Sequence, residues 1–300
     1  MVSETLSFLI AAHAGDYIDA TLGGGGHARA LLRKLEDGAR VFGIDADPAA
    51  IAHASHLLED DSRFTAIHDR FSNLITATQS IVRNGVDGVL ADLGVSSHQI
   101  NAPERGFSFQ QSGPLDLRMN RKAGESAAEL LSRVDEQELA SILWKFGEER
   151  RSRLLAKRIL QAQRTSPIQT TERLAEIVGR EAPGKWRVKT LARVFQALRI
   201  AVNDELGELQ RFLPNAFSLL KPDGKLVIIS YHSLEDRLVK NFFREKARTC
   251  VCPQDAPICT CNHIQEGEIL TRRVVTPSPQ EVQQNPRSRS AKLRAIKKLV

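Results

Sequence analysis

The chain has 300 residues, of which 42% are hydrophobic and 26% charged, and a net charge of +6. This length buries a substantial core in one large domain or two smaller ones, and the composition is that of a soluble globular protein, which excludes disordered and fibrous classes. No apolar run approaches the ~18 residues of a membrane span and the opening MVSETLSFLI lacks a basic n-region, so the expected location is cytoplasmic, with no membrane partner.

In chain order, residues 17–20 form a short apolar strand, followed by four glycines, Gly23 to Gly26, and a helix over about 27–35. A second strand over 40–44 ends in Asp45, and Pro48 suits the first turn of a helix running to Leu58. A third strand over 63–68 and a helix near 71–82 lead to a fourth strand, VDGVLAD, ending at Asp92. Strand and helix alternating at this spacing predict a parallel, helix-covered α/β sheet.

After about Asn101 the rhythm changes. Residues 126–178 carry helical apolar spacing, as at Leu139, Ile142, Leu143 and Phe146, up to a turn-rich break at 181–186. A long helix over about 190–220 then leads to a fifth strand, GKLVIISYHS, and stretches 269–275 and 290–299 read as two last strands. The helical block is therefore an insertion between the fourth and fifth strands of one sheet. The division expected is 1–101 with 187–300 for the sheet domain and 102–186 for the insert.

On the long helix, Arg193, Gln196, Arg199 and Asn203 make a polar face, read as turned toward a nucleic acid or the cleft, the plain alternative being a solvated charged face. Phe195, Leu198, Val202 and Leu206 or Leu209 make an apolar face, read as packing on the sheet. The insert's Arg118, Arg121, Lys122, Arg150, Arg151 and Arg153 are suited to framing a nucleic-acid substrate, the plain alternative being a stabilising or dimer-forming subdomain. The last fourteen residues, RSRSAKLRAIKKLV, hold six basic residues and no acid. They read either as a solvated basic tail or as a phosphate-binding edge, and Ala291, Leu293 and Ala295 alternate as in a strand. All four cysteines fall in CVCPQDAPICTC, at 250, 252, 259 and 261. Four such thiols suit one zinc ion, but C-x-C pairs are tighter than the usual zinc spacing, and a metal-free loop is the preferred reading.

Ligands of such sheets bind beyond the carboxyl ends of the strands. Those ends supply Asp19 and the glycines, Asp45, Asp92, and Ser230 to Ser233. GGGGHA satisfies G-x-G-x-x-A, so a dinucleotide and S-adenosylmethionine both fit a bare loop, and Asp45 suits the ribose hydroxyls of either. Asp92 discriminates. A hydride-transfer enzyme needs no acid there, whereas methyl transfer to nitrogen is helped by a carboxylate that orients the amine or accepts its proton. The plain alternative is that Asp92 caps the turn before Gly94. Gln99 is placed to hydrogen-bond through its amide, with an ordinary loop role as its alternative.

The runs DATLGGGGHA, GIDADP, RFSNL, DGVLADLGVSSHQ, ERGFSF and PLDLRM, then RVFQALRIAVNDEL, GKLVIISYHSLEDRLVK and NPRSRSAKLR, resemble the RsmH (MraW) family in order over nearly the whole chain. SYHSLEDR and NPRSRSAKLR are far more specific than any glycine loop. The resemblance implies a Rossmann-like class I methyltransferase sheet with an inserted all-helical substrate-recognition subdomain. It implies S-adenosylmethionine-dependent methylation of the exocyclic N4 of one cytidine in the decoding region of 16S rRNA. The implied substrate is small-subunit rRNA within the 30S particle, with a homodimer left open. It places Gly25, Gly26 and His27 against the methionine part of the cofactor, Asp45 on the ribose and Phe71 beside the adenine. Asp92 and Gln99 complete the site near the sulfonium and the acceptor. His232 and Ser233 are further candidates, for holding the target nucleotide. DLGVSS stands where many amino methylases carry an N/D-P-P-Y sequence, and family members usually begin with a further short segment before the glutamate matching Glu4. A dinucleotide-dependent oxidoreductase and a non-catalytic ribosome-assembly factor are the alternative readings.

Overall fold

A computed structural model describes residues 1–182, 184–252 and 260–300. The chain divides into two compact units, residues 1–94 with 207–300, and residues 95–206. The second is larger at both ends than the insert read from sequence.

The first unit opens with α1 (Val2–Leu9), an amphipathic helix that buries Leu6 and Leu9 and that the sequence pattern did not single out. Then follow β1 (Asp16–Asp19), α2 (Gly26–Leu32), β2 (Arg40–Asp45), α3 (Pro48–Leu57), β3 (Phe64–His68), α4 (Leu74–Thr78) and β4 (Val86–Asp92). Asp47 caps α3, its side chain accepting from Ala49 N at 3.0 Å, with Pro48 at the first helical position. The helix expected near 71–82 is shorter, a 3-10 turn (Phe71–Asn73) running into α4.

The second unit holds α5 (Ser97–Asn101), α6 (Ala127–Arg133), α7 (Glu136–Gly147), α8 (Ser152–Thr165), α9 (Thr171–Glu181) and α10 (Arg187–Asn203). Its core joins Leu139, Leu143, Leu155, Ile159, Leu174 and Leu198. Here three expectations are overturned. The helix read over 190–220 is two helices, α10 and then α11 (Glu205–Leu219), separated by Asp204 in the left-handed region at φ 52. The polar face of α10 is turned inward within its own unit. Gln196 Nε2 donates to Phe146 O at 2.9 Å, Arg199 makes two 2.8 Å bonds to Glu205, and Asn203 donates to Leu117 O and accepts from Met119 N, both at 2.8 Å. Phe195 and Leu198 pack into the helical core rather than on the sheet, while Leu209 does join the sheet core. Of the insert's arginines, Arg118 and Arg121 are ion-paired to the buried Asp116, at 2.6 and 3.3 Å.

The chain returns through α11 to β5 (Leu220–Ser230), α12 (Ser233–Lys246), β6 (Gly267–Ile269), α13 (Pro279–Gln284) and β7 (Lys292–Lys298). Strand order is β3-β2-β1-β4-β5-β7-β6, parallel through β5, with β7 antiparallel to both β5 and β6. The insert thus lies between β4 and β5 in sequence, in a Rossmann-like α/β sheet. Alternate residues of the strands feed two apolar layers. Ile18, Ile44, Val89 and Ile228 meet Phe212, Phe217 and Phe243 on one face. Tyr17, Val41, Leu90 and Val227 meet Leu6, Leu9 and Leu31 on the other.

The basic carboxyl-terminal stretch is no solvated tail. Arg294 and Lys292 pair with Asp236 at 2.7 and 3.5 Å, and Lys297 pairs with Glu268 at 3.0 Å. Lys298 Nζ donates to the carbonyls of Ser218 and Leu220. The stretch read as a strand over 269–275 is β6 followed by an isolated bridge at Val275. No helix of the described residues is long and apolar enough to cross a membrane.

Candidate active site

The carboxyl ends of β1, β2 and β4 meet where the strand order turns from one half of the sheet to the other, between β1 and β4. In the loop after β1, Gly25 caps α2 at φ +74, a conformation that strains any side chain. A Cβ at Gly24 or Gly26 would meet nothing within 4 Å, so the loop presents bare backbone to open space. Asp45, closing β2, accepts from Gly23 N at 2.7 Å through Oδ2 and from Asp47 N at 2.8 Å through Oδ1. One carboxylate therefore ties the glycine loop to the second strand.

Asp19, closing β1, is 1% exposed. Its Oδ1 accepts from Thr21 N at 3.3 Å, and its Oδ2 is buried with no hydrogen-bond partner. Burial pushes its pKa up to about 6, against the opposing pull of His27. An unpartnered buried carboxylate oxygen beside a bare loop suits a cationic group of a ligand.

Asp92, closing β4, donates its amide to Thr21 Oγ1 at 2.6 Å. Its Oδ1 accepts from the Tyr231 hydroxyl at 2.9 Å, and its Oδ2 lies 3.7 Å from His27 Nδ1, beyond hydrogen-bond range. Burial holds its pKa above the ordinary carboxylate range, with His27 and the Tyr231 hydroxyl opposing. The side chain is nevertheless 26% exposed. The carboxylate is thus engaged by a phenol across the sheet and does not serve as a simple turn cap. Burial and the neighbouring Asp92 raise the Tyr231 pKa, so the phenol keeps its proton and stays a donor. Tyr231 is itself oriented by α12, where Glu235 Oε2 accepts from the amides of Tyr231 and His232 at 2.9 and 3.3 Å.

The other residues singled out from sequence divide. His27 adjoins Asp92, and its Nε2 is buried without a hydrogen-bond partner. Phe71 packs edge-on against Phe212, ring centroids 5.0 Å apart. His232 is the N-cap of α12, its Nδ1 accepting from Glu235 N at 3.4 Å and its Nε2 3.2 Å from Glu235 Oε1, and Ser233 is the first residue of that helix. Gln99 belongs to the helical unit, where its side chain accepts from Ser96 N at 2.9 Å in the capping box of α5. Asp19 and Tyr231 are read from sequence as strand-end residues with no role of their own, and Thr21 is not singled out there. For Asp19 the signal was present, an acid closing a short apolar strand as Asp45 and Asp92 do.

A family model described as the MraW methylase family matches residues 1–299. The chain belongs to this family. The methylase is 47% identical, over all of its length and 92% of the relative's, to the "Ribosomal RNA small subunit methyltransferase H" of Thermomicrobium roseum. It is 45% identical to the protein of the same name from Trichlorobacter lovleyi, covering 97% of it. Solved structures offer distant likenesses. A crystal structure described as a rRNA methylase from Streptococcus thermophilus has a TM-score of 0.44 at 12% identity, with 100% of this chain and 94% of that one covered. Aeropyrum pernix fibrillarin with natively bound S-adenosyl-L-methionine has a TM-score of 0.40 at 11% identity, with 98% and 73% covered. Membership in a methylase family leaves the dinucleotide-dependent oxidoreductase without support.

The helical unit of the methylase has a concavity of its own, an open groove of about 970 Å³ between the start of α8 and one side of α7. Trp144, 58% exposed, lines it with Leu154, Arg150, Arg151 and Arg153.

The methylase carries a stability cost at its site that a substitution reveals. A carboxyl whose folded pKa lies above its unfolded value is held less well as the anion. For Asp19, between 3.8 and about 6, the penalty grows as pH rises through that window and is complete above it. Its upper bound is about 3 kcal/mol. Asp19→Asn is expected to melt several degrees higher than the parent at pH 7.5, with the difference vanishing near pH 4. An unchanged or lower melting temperature at pH 7.5 would show that the carboxylate is stabilised by something other than a ligand.

Proposed function

We propose that this methylase transfers a methyl group from S-adenosylmethionine to the exocyclic N4 of a cytidine in the decoding region of small-subunit rRNA, acting on the 30S particle. The reading is carried by Asp92: a partly open carboxylate, raised in pKa and held by Tyr231, beside a bare glycine loop and the unpartnered Oδ2 of Asp19. The names of its relatives, small-subunit rRNA methyltransferases, supply the substrate class.

The residues fit the cofactor. Gly25 and Gly26 give its methionine part close access to backbone, Asp19 offers an anion to a cationic group, and Asp45 stands at the end of the second strand for the ribose. When bound, S-adenosylmethionine supplies a methyl group already activated by the sulfonium charge. The protein's task is then alignment and proton removal. A cytosine amine is a poor nucleophile because its lone pair is delocalised into the ring. Asp92, accepting an amino hydrogen at Oδ2, favours the pyramidal nitrogen and takes the proton as the bond forms. Tyr231 keeps Oδ1 engaged, so the carboxylate cannot rotate away. His232 and Ser233 remain proposed contacts for the target nucleotide, with His232 also fixing the start of α12.

For substrate recognition we assign the helical unit, with its groove as the strand-binding surface. Trp144 offers a stacking face and the three arginines offer phosphate contacts, the pairing used by sequence-tolerant single-strand binders. Reaching a base within folded RNA requires it unstacked, which such a platform assists.

The test is methyl transfer to small subunits from a strain lacking the modification, with the methylated nucleotide mapped. Methylation at a carbon or a ribose oxygen, or none, would overturn the N4 assignment. For the groove, Trp144→Ala is expected to raise KM for small subunits by roughly 5- to 150-fold with cofactor affinity unchanged. An unchanged KM would remove the groove from substrate binding.

A further inference from the structure

The segment between α12 and β6 is closed at its base. Glu266 N donates to Lys246 O at 3.1 Å, and Lys246 Nζ contacts both Glu266 carboxylate oxygens, at 2.8 and 2.9 Å. Between these two residues no described residue is buried, with Val251 51% and Ile264 68% exposed. The described residues of this segment therefore supply no buried apolar anchor to fix it.

What it does contain is a sulfur cluster. The Sγ atoms of Cys250, Cys252 and Cys261 all lie within 4.8 Å of one another. Cys250 and Cys261 Sγ are 3.7 Å apart. That is far beyond the ~2.05 Å of a disulfide. It matches the edge of a tetrahedron around zinc, about 3.8 Å for Zn–S bonds of about 2.3 Å. The backbone is also arranged as thiolates require. Cys252 N donates to Cys250 Sγ at 3.3 Å, and Val251 N donates to Cys261 Sγ at 3.5 Å. Such amide donors stabilise metal-bound sulfur and set its direction.

We propose that Cys250, Cys252 and Cys261 ligate one zinc ion that pins this segment, a structural centre separate from the methyl-transfer site. The metal supplies a cross-link that the described apolar side chains of the segment do not, as in small domains that fold around zinc. The tight C-x-C spacing, which in the sequence favours a metal-free loop, is no obstacle, because Cys250 and Cys252 already bring their sulfurs within ligand distance of each other and of Cys261. The chain's remaining cysteine, Cys259, lies outside the described residues.

The experiment uses the full, untagged chain, purified under reducing conditions without added metal. Elemental analysis is expected to find about one zinc per chain, retained against competitors weaker than about 50 nM. After chelation, titration with Co²⁺ is expected to give the near-ultraviolet thiolate-to-cobalt charge-transfer band and the visible bands of a tetrahedral site. The double variant Cys250→Ser/Cys261→Ser is expected to lose both the zinc and the cobalt spectrum, with S-adenosylmethionine affinity kept as the control for folding. Absence of stoichiometric zinc together with a cobalt spectrum lacking thiolate bands would overturn the proposal. So would zinc retained in full by the double variant, or iron in its place. The parent cobalt spectrum decides the matter even if the variant fails to fold.

Discussion

Asp92→Asn is expected to lower methyl transfer by roughly 10²- to 10⁴-fold while the fold stays intact. Asparagine keeps the size of the side chain and an oxygen to accept the Tyr231 hydroxyl, seen at 2.9 Å, but it cannot take a proton. Because the Asp92 carboxyl is held above the ordinary range, its ionised form costs folding free energy at neutral pH. The neutral variant should therefore be no less stable than the parent. The pH dependence has a definite sign. Only the ionised carboxylate accepts the proton, so the rate falls as pH drops through the raised pKa. Tyr231→Phe removes a hydrogen bond that favours the anion, and this moves the acid limb of the profile to higher pH. Single-turnover rates with saturating cofactor measure both effects. Near-parental turnover by Asp92→Asn would take this carboxylate out of the mechanism, and an unmoved acid limb in Tyr231→Phe would take the phenol out of its positioning role.

Truncation after Ser290 is expected to abolish folding of the sheet unit, not merely to weaken RNA binding. The residues removed include β7, which lies between β5 and β6 and pairs in register from Lys292 opposite Ser230 to Lys297 opposite Lys225. Leu293, Ala295 and Ile296 are all 0% exposed. Loss of a buried leucine or isoleucine side chain costs about 2–5 kcal/mol. Two such losses approach the whole stability of a typical domain, about 5–15 kcal/mol. The deletion also leaves Asp236 and Glu268 without their basic partners and uncovers an edge of β5. Expression, circular dichroism and limited proteolysis of the shortened chain check this. A soluble truncated chain with parental cofactor affinity would show that β7 is dispensable and return the stretch to the role of a basic tail.

These two cases divide what is local in the sequence from what folding adds. Asp92 was legible because an acid closing an apolar strand, just before a glycine, is a pattern that local geometry places at the strand tip. Its partner was not: Tyr231 is 139 residues away, and the hydrogen bond exists only because β4 and β5 are neighbours. The strand character of the terminal stretch was visible in the alternation of Ala291, Leu293 and Ala295, but its charges read as free because Asp236 and Glu268 are remote in sequence. The same blindness inverted the reading of α10. Arg199 and Asn203 have helical spacing on a polar face, yet whether such a face meets water or another segment's carbonyls is decided by packing alone. The break at Asp204 carries no glycine or proline of its own, while Gly207 and Pro214, the breakers nearby, both sit inside α11.

What the sequence by itself determined is therefore local and periodic: the alternation of strands and helices, the bare loop, the acids at three strand tips, the helical insertion and the family. Tertiary structure alone decided the partners: Tyr231 on Asp92, an Asp19 oxygen without one, β7 inside the sheet, and three sulfurs at one point. The physical reason is one of range. Backbone propensity and apolar period act over a few residues and are written in order along the chain. Hydrogen bonding, ion pairing and ligation act over a few ångströms between residues that only folding makes neighbours.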